Sequence, residues 1–218
     1  MRRQGYAFFE AMIAVALVVV LGFTVAPPLR ENLREGKVAR AQVEADAIFN
    51  AVLDFRRDVG HWPVDPGSSE ATWTRLVGNE SVGGGTSAVP AGLATAAAGG
   101  AGGGLALGTM SAHLVRNQDE RGKPIYQASR HPHIEPGWNG PYLEQVPLDP
   151  WGRSYVVSVV PGGGEGVQGS EDAAEVVLVV SAGPDGVLQT ALDVVPPDGA
   201  CGGDDVGLVV LHPGIDDL

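Results

Sequence analysis

One cysteine, Cys201, occurs in the 218 residues, so no disulfide can close within the chain. A lone thiol with no Cys–His–Asn grouping reads as a small packed residue, not a nucleophile. Basic side chains are also scarce: 14 Lys and Arg stand against 26 Asp and Glu, for a net charge of −12. Gripping a phosphate backbone needs a basic face, which excludes nucleic acid as a partner. Acidity of this kind suits solubility or cation binding. Catalytic signatures are missing as well. There is no G-x-S-x-G and no H-E-x-x-H. The glycine triplets at 83–85 and 102–104 lack phosphate-loop spacing, and no Gly-Lys-Ser/Thr follows them. His131, His133 and Glu135 form H-x-H-x-E, but Pro132 and Pro136 make this a loop, and no fourth zinc ligand accompanies it. The expectation is a chain that is not an enzyme.

What the chain does have is an apolar start. "GYAFFEAMIAVALVVVLGFTVAPPL" runs from Gly5 to Leu29, and Glu10 is its one charged side chain. The stretch reaches the roughly 20 residues that a membrane helix needs. A carboxylate inside such a helix costs about 2.5–3.5 kcal/mol on insertion scales unless something neutralises it. A secretory signal peptide fits Arg2 and Arg3, but the apolar run exceeds a usual h-region, and Pro27 directly follows the small-x-small site Thr24-Val25-Ala26. A simple anchor leaves Glu10 unexplained. Basic residues on both sides of the stretch leave orientation unsettled.

Beyond it the apolar residues Ala41, Ala45, Ile48, Val52, Phe55 and Val59 recur every three or four positions, which is one helix face. Phe49 and Leu53 widen the stripe, and Arg40 and Glu44 can pair at i,i+4. Gly60 suits a left-handed C-terminal cap. One long helix from about Tyr6 to Val59 is predicted, roughly 80 Å long, with Pro27 and Pro28 kinking or locally melting it. Three valine-rich runs, 154–160, 175–181 and 206–211, read as strands of an antiparallel meander covered on one face by that helix. Residues 83–108 are low in complexity and read as a mobile surface loop. Ser111 reads as the N-cap of a short helix over 111–117. The expected fold class is α+β, a long N-terminal helix on a small antiparallel sheet.

Two segments resemble a known family. "RRQGYAFFEAMIAVALVVVLGFTVAPPL" (residues 2–29) resembles the class III signal of type IV pilins and type II secretion pseudopilins, with Tyr6 for the usual phenylalanine and Ala7-Phe8-Phe9 for Thr-Leu-Ile or Thr-Leu-Val. "WNGPYLEQVPLDPWGRSYVV" (residues 138–157) resembles the W-x-GPYL and DPWG segment of the major pseudopilin of type II secretion, and "SAGPDG" and "GGDDVGL" resemble that group's C-terminal loop. The resemblance implies a pilin-like fold. It divides the chain into a leader over 1–5, an assembly helix over 6–29, an amphipathic stalk over 30–63 and a head over 64–218. It implies cleavage between Gly5 and Tyr6 by prepilin peptidase, methylation of the Tyr6 amine, and Pro27 at the family's helix proline. It also implies that Glu10 meets the N-terminal amine of a neighbouring subunit. Asp185, Asp204 and Asp205 match the positions that hold calcium in the group.

The function implied is a structural subunit of a secretion pseudopilus. It would span the inner membrane once, with a cytoplasmic N-terminus and a periplasmic head. Its partners would be copies of itself, other pseudopilins and the inner-membrane secretion platform. The alternatives are a minor pilin of a type IV pilus and a membrane-anchored periplasmic binding module.

Overall fold

The computed structural model describes residues 4–63, 74–78, 90–91, 93, 108–119, 121–129, 135–161, 175–192, 196 and 199–212. The chain separates into two compact units, Met1–Ala39 and Arg40–Leu218. Helix α1, Gln4–Val59, contributes to both. It stays helical through Pro27 and Pro28, so the two absent N–H groups do not end it, as local melting would. It stops where predicted: Gly60 adopts φ +89°, and its N–H meets the Arg56 carbonyl at 2.8 Å. Among the described residues no helix is long and apolar enough to cross a membrane.

In the second unit the order continues with β1 (Thr74–Val77), β2 (Gly108–Thr109), a π-helical turn (Ser111–Arg116), β3 (Val156–Pro161), β4 (Glu175–Ser181) and β5 (Val206–His212). The five strands form one sheet in the order β2-β1-β3-β4-β5. The predicted meander is present, with β3, β4 and β5 antiparallel in turn. β1 extends it antiparallel to β3, and β2 joins β1 in parallel. The helical turn departs from expectation. Ser111 lies inside it, Met110 holds the cap position without a side-chain bond, and the hydroxyl near the first turn is that of Thr109, 3.4 Å from the Ala112 N–H.

The valine runs do not alternate because both faces of the sheet are covered. Val157, Val159, Val177 and Val179 pack in one cluster with Ala45, Ile48, Val52 and Phe55 of α1. Val156, Val160, Val176, Leu178 and Val180 pack in a second cluster with Leu93, Ala182, Leu188 and Leu192. A helix covering one face was the expectation; the loop after β4 covers the other. Leu93 and Pro90 are buried, and Ala91 bridges to Val187. The low-complexity segment is therefore not wholly superficial: a leucine within it fills a gap that glycine and alanine cannot. The rest of residues 83–108, apart from Gly108, lies outside the described residues.

Polar contacts fasten the helix to the sheet. The buried Tyr155 hydroxyl reaches Glu44 Oε2 at 2.9 Å and the Ala41 carbonyl at 3.2 Å, and Arg40 Nε pairs with Glu44 Oε1 at 2.7 Å. Burial pushes the Tyr155 phenol far above its ordinary pKa, and the Glu44 carboxylate beside it adds to this, so it stays a donor. At the helix end, Glu175 Oε2 accepts from Trp62 Nε1 at 2.6 Å and from Arg56 Nη1 at 2.7 Å. The Arg56 guanidinium also lies 4.2 Å from the Trp62 ring centroid.

Candidate functional site

Two regions hold the residues singled out from sequence. The first is the N-terminal part of α1. Phe8, Phe9, Met12, Ile13, Val15, Leu17, Val18, Val19, Val20 and Leu21 are between 48% and 70% exposed. Glu10 stands among them, also exposed. A contiguous apolar surface of this kind marks an interaction or membrane surface. Gly5 and Tyr6 lie in the first helical turn and Pro27 further along, and the side chains of Tyr6 and Pro27 are outside the description. His131 and His133 lie outside the described residues, while Glu135 is exposed.

The second region is the loop between β4 and β5, which carries Asp185, Asp204 and Asp205. Each carboxylate has structural partners. Asp185 Oδ1 accepts the Val187 N–H at 2.7 Å, and its Oδ2 accepts Gln189 Nε2 at 2.9 Å. Asp204 Oδ2 accepts the Asp185 N–H at 3.2 Å. Asp205 Oδ2 accepts the N–H groups of Gln189 (2.8 Å) and Thr190 (2.6 Å) and the Thr190 hydroxyl (2.6 Å). Thr190 Oγ1 in turn accepts the Gly202 N–H at 2.9 Å. Burial raises the Asp205 carboxyl above its ordinary pKa, against the lowering effect of its bonds to Thr190 and Gln189, and the neighbouring Asp204 charge raises it further. Cys201 packs partly buried beside the second cluster, and burial pushes its thiol up, so it is not an activated nucleophile.

The three aspartates each act as an acceptor that holds the loop. In this arrangement their oxygens serve the loop's own hydrogen-bond donors. Among the described residues no three His, Cys, Asp or Glu side chains group as metal ligands. Both Asp185 oxygens are committed to the loop, and the oxygens left without a partner are Asp204 Oδ1 and Asp205 Oδ1. Calcium takes about six to eight oxygens.

The DPWG segment forms the turn before β3. The buried Asp149 side chain accepts the Trp151 N–H at 3.0 Å and the Arg153 N–H at 2.7 Å on Oδ1, and the Ser181 hydroxyl at 2.6 Å on Oδ2. Arg153 Nε lies 3.8 Å from Oδ2, and Arg153 Nη2 donates to the Gly183 carbonyl. One carboxylate thus joins the turn, the end of β4 and the C-terminal loop. The aromatics of the preceding segment pack beside α1. The Phe55 ring centroid lies 4.9 Å from that of Tyr126 and 5.6 Å from that of Tyr142, and Trp138 meets Tyr142 edge-on at 5.8 Å. Sequence reasoning missed Gln189, Thr190, Ser181 and the part played by Asp149. Only Asp149 had a signal, as the carboxylate of an Asp-Pro turn.

A motif that places this turn, and the aromatic segment before it, against an N-terminal helix invites comparison with known proteins. Residues 124–191 match the family model described as type II secretion system (T2SS), protein G. The resemblance is to the major pseudopilins of type II secretion. Over 193 residues the chain is 23% identical to the type II secretion system core protein G of Escherichia coli (strain K12), covering 88% of this chain and 90% of that protein. No solved structure matches. The matched stretch holds the aromatic–proline segment, the DPWG turn, β3, β4 and the first part of the loop that carries Asp185.

Proposed function

We propose that the chain is a structural subunit of a pseudopilus in a type II protein secretion system. In this reading prepilin peptidase removes residues 1–5, the Tyr6 amine is methylated, and the N-terminal helix inserts in the inner membrane with the head on the periplasmic side. Copies then polymerise through that helix, beside other pseudopilins and the inner-membrane platform. The observation that carries the reading is the exposed apolar surface over residues 8–21 with Glu10 as its one charge. Such a surface needs lipid or a neighbouring helix, and a carboxylate within it needs a cation. A new amine at Tyr6 of an adjacent copy supplies one. The likeness to protein G supports secretion over a minor pilin of a type IV pilus, which shares the N-terminal pattern.

The test is filament assembly in Glu10 variants at equal expression. Leaving one member of a buried ion pair alone costs about 3–5 kcal/mol, which is two or more decades in assembly at ~1.4 kcal/mol per decade. Glu10→Ala and Glu10→Gln should still lose residues 1–5, seen by intact mass, yet yield little pelletable filament. Glu10→Asp should be intermediate. Normal filaments from Glu10→Ala would refute the pairing. A chain that keeps Met1–Gly5 would favour the anchored binding module instead.

A further inference from the structure

The second face of the sheet is covered by a loop, and that cover must be held shut. Leu188 and Leu192 are its apolar anchors, and the Leu192 carbonyl accepts the buried Ser158 hydroxyl at 2.7 Å. Between them, Gln189 turns back toward the aspartates. Its Nε2 donates to Asp185 Oδ2 at 2.9 Å, and its Oε1 accepts the Asp204 N–H at 3.1 Å. Residues 185 and 204 belong to the calcium set that the resemblance implies, at the two ends of the loop. We propose that the carboxamide of Gln189 joins them instead, so that closure of the C-terminal loop does not depend on calcium.

The chemistry separates an amide from a cation. The link needs a donor toward a carboxylate and an acceptor toward a backbone N–H. A carboxamide has both. A cation satisfies the carboxylate but leaves the Asp204 N–H unmet, and a glutamate satisfies the N–H but repels Asp185. The backbone opposite is made to admit this side chain. Gly203 adopts φ +60°, and a Cβ on it would collide with Gln189 Oε1. Next to the amide, Thr190 is held by Asp205, so the main chain on which Gln189 stands is itself fixed. Asp204 Oδ1 and Asp205 Oδ1, which lack hydrogen-bond partners, are what a cation would still find.

The experiment uses the full chain in detergent, melted in saturating calcium and in excess chelator with tryptophan fluorescence as the readout. The unmutated chain should give the same curve in both. Gln189→Ala removes two hydrogen bonds and should melt about 4–8 °C lower in both. Gln189→Glu places a carboxylate against Asp185 and Asp204, so it should melt lower in chelator and recover when calcium is added. A wild-type chain that melts several degrees higher in calcium overturns the proposal, and so does a Gln189→Ala variant that melts with wild type. If the variants do not fold, equilibrium dialysis of the unmutated chain against calcium decides: stoichiometric uptake at micromolar concentration overturns it, and none supports it. Neither measurement involves filament assembly, so this inference and the Glu10 reading stand or fall separately.

Discussion

Asp149 joins three parts of the head, and its loss should therefore be felt as stability. Its side chain is wholly buried and accepts three hydrogen bonds, from the Trp151 N–H, the Arg153 N–H and the Ser181 hydroxyl. A hydrogen bond to a charged group contributes about 1.5–3 kcal/mol net. Contacts within one network do not add, so Asp149→Ala should cost at least about 4 kcal/mol, a large share of the roughly 5–15 kcal/mol that holds a domain. Asp149→Asn keeps one oxygen for the two turn N–H groups. Its amide then faces Ser181 Oγ, which already accepts the Gly183 N–H at 3.2 Å, and the hydroxyl hydrogen loses its acceptor. Negative charge near Arg153 is lost as well. A cost of about 1–3 kcal/mol follows.

Urea unfolding of the detergent-solubilised chain reads this directly. With m near 2 kcal/mol/M, the midpoint should fall by about 2 M for alanine and about 0.5–1.5 M for asparagine. Two results would refute the reasoning: an alanine variant within about 0.5 M of wild type, or an asparagine variant less stable than alanine. The series also separates two roles for the motif. A carboxylate kept for binding or chemistry would lose function on substitution while stability held. A carboxylate kept for the fold loses stability first, and function falls only in proportion to the folded fraction.

Elements with a local period were legible, and those made by distant pairing were not. The stripe through Ala45, Ile48, Val52 and Phe55 is written at helical spacing, and all four are buried. The valine runs of β3, β4 and β5 announced themselves by composition. Their lack of alternation also held the news that both faces are covered, a signal read only as strand. β1 is four residues long and β2 two, and their partners lie 32 to 85 residues away along the chain at the farthest paired positions, Leu76 with Gly108 and Thr74 with Val159. No window of sequence contains such a pairing. Leu93 was misjudged because its neighbours are glycine and alanine, although one large apolar side chain is enough to dock a segment. In the candidate site the aspartates stood out by charge. Gln189 did not, because a glutamine in a loop looks alike whether it meets solvent or links two ends of the chain.

Two further perturbations test the cover over the second face. Leu93 is buried against Val156, Leu178 and their neighbours, so Leu93→Ala should cost about 2–4 kcal/mol; an unchanged urea midpoint would return the segment to the surface. Asp205 gives a pH test. Its native pKa is raised above the ordinary carboxylate value of 3.8, mainly by burial. Between that value and the native one, the folded chain keeps a proton that the unfolded chain has lost. The folded state binds more protons in that window, so this group lowers stability as pH rises through it. Asp205→Asn removes the term while keeping an oxygen for the Gln189 and Thr190 donors, so the variant should gain on wild type from about pH 4 upward. Asp205→Ala removes the oxygen and should be less stable than both at every pH. The measurement is the urea midpoint against pH for the three chains. If Asp205→Asn instead lost ground as pH rose, the buried carboxylate would be favoured as an anion, its bonds from Gln189 and Thr190 outweighing burial.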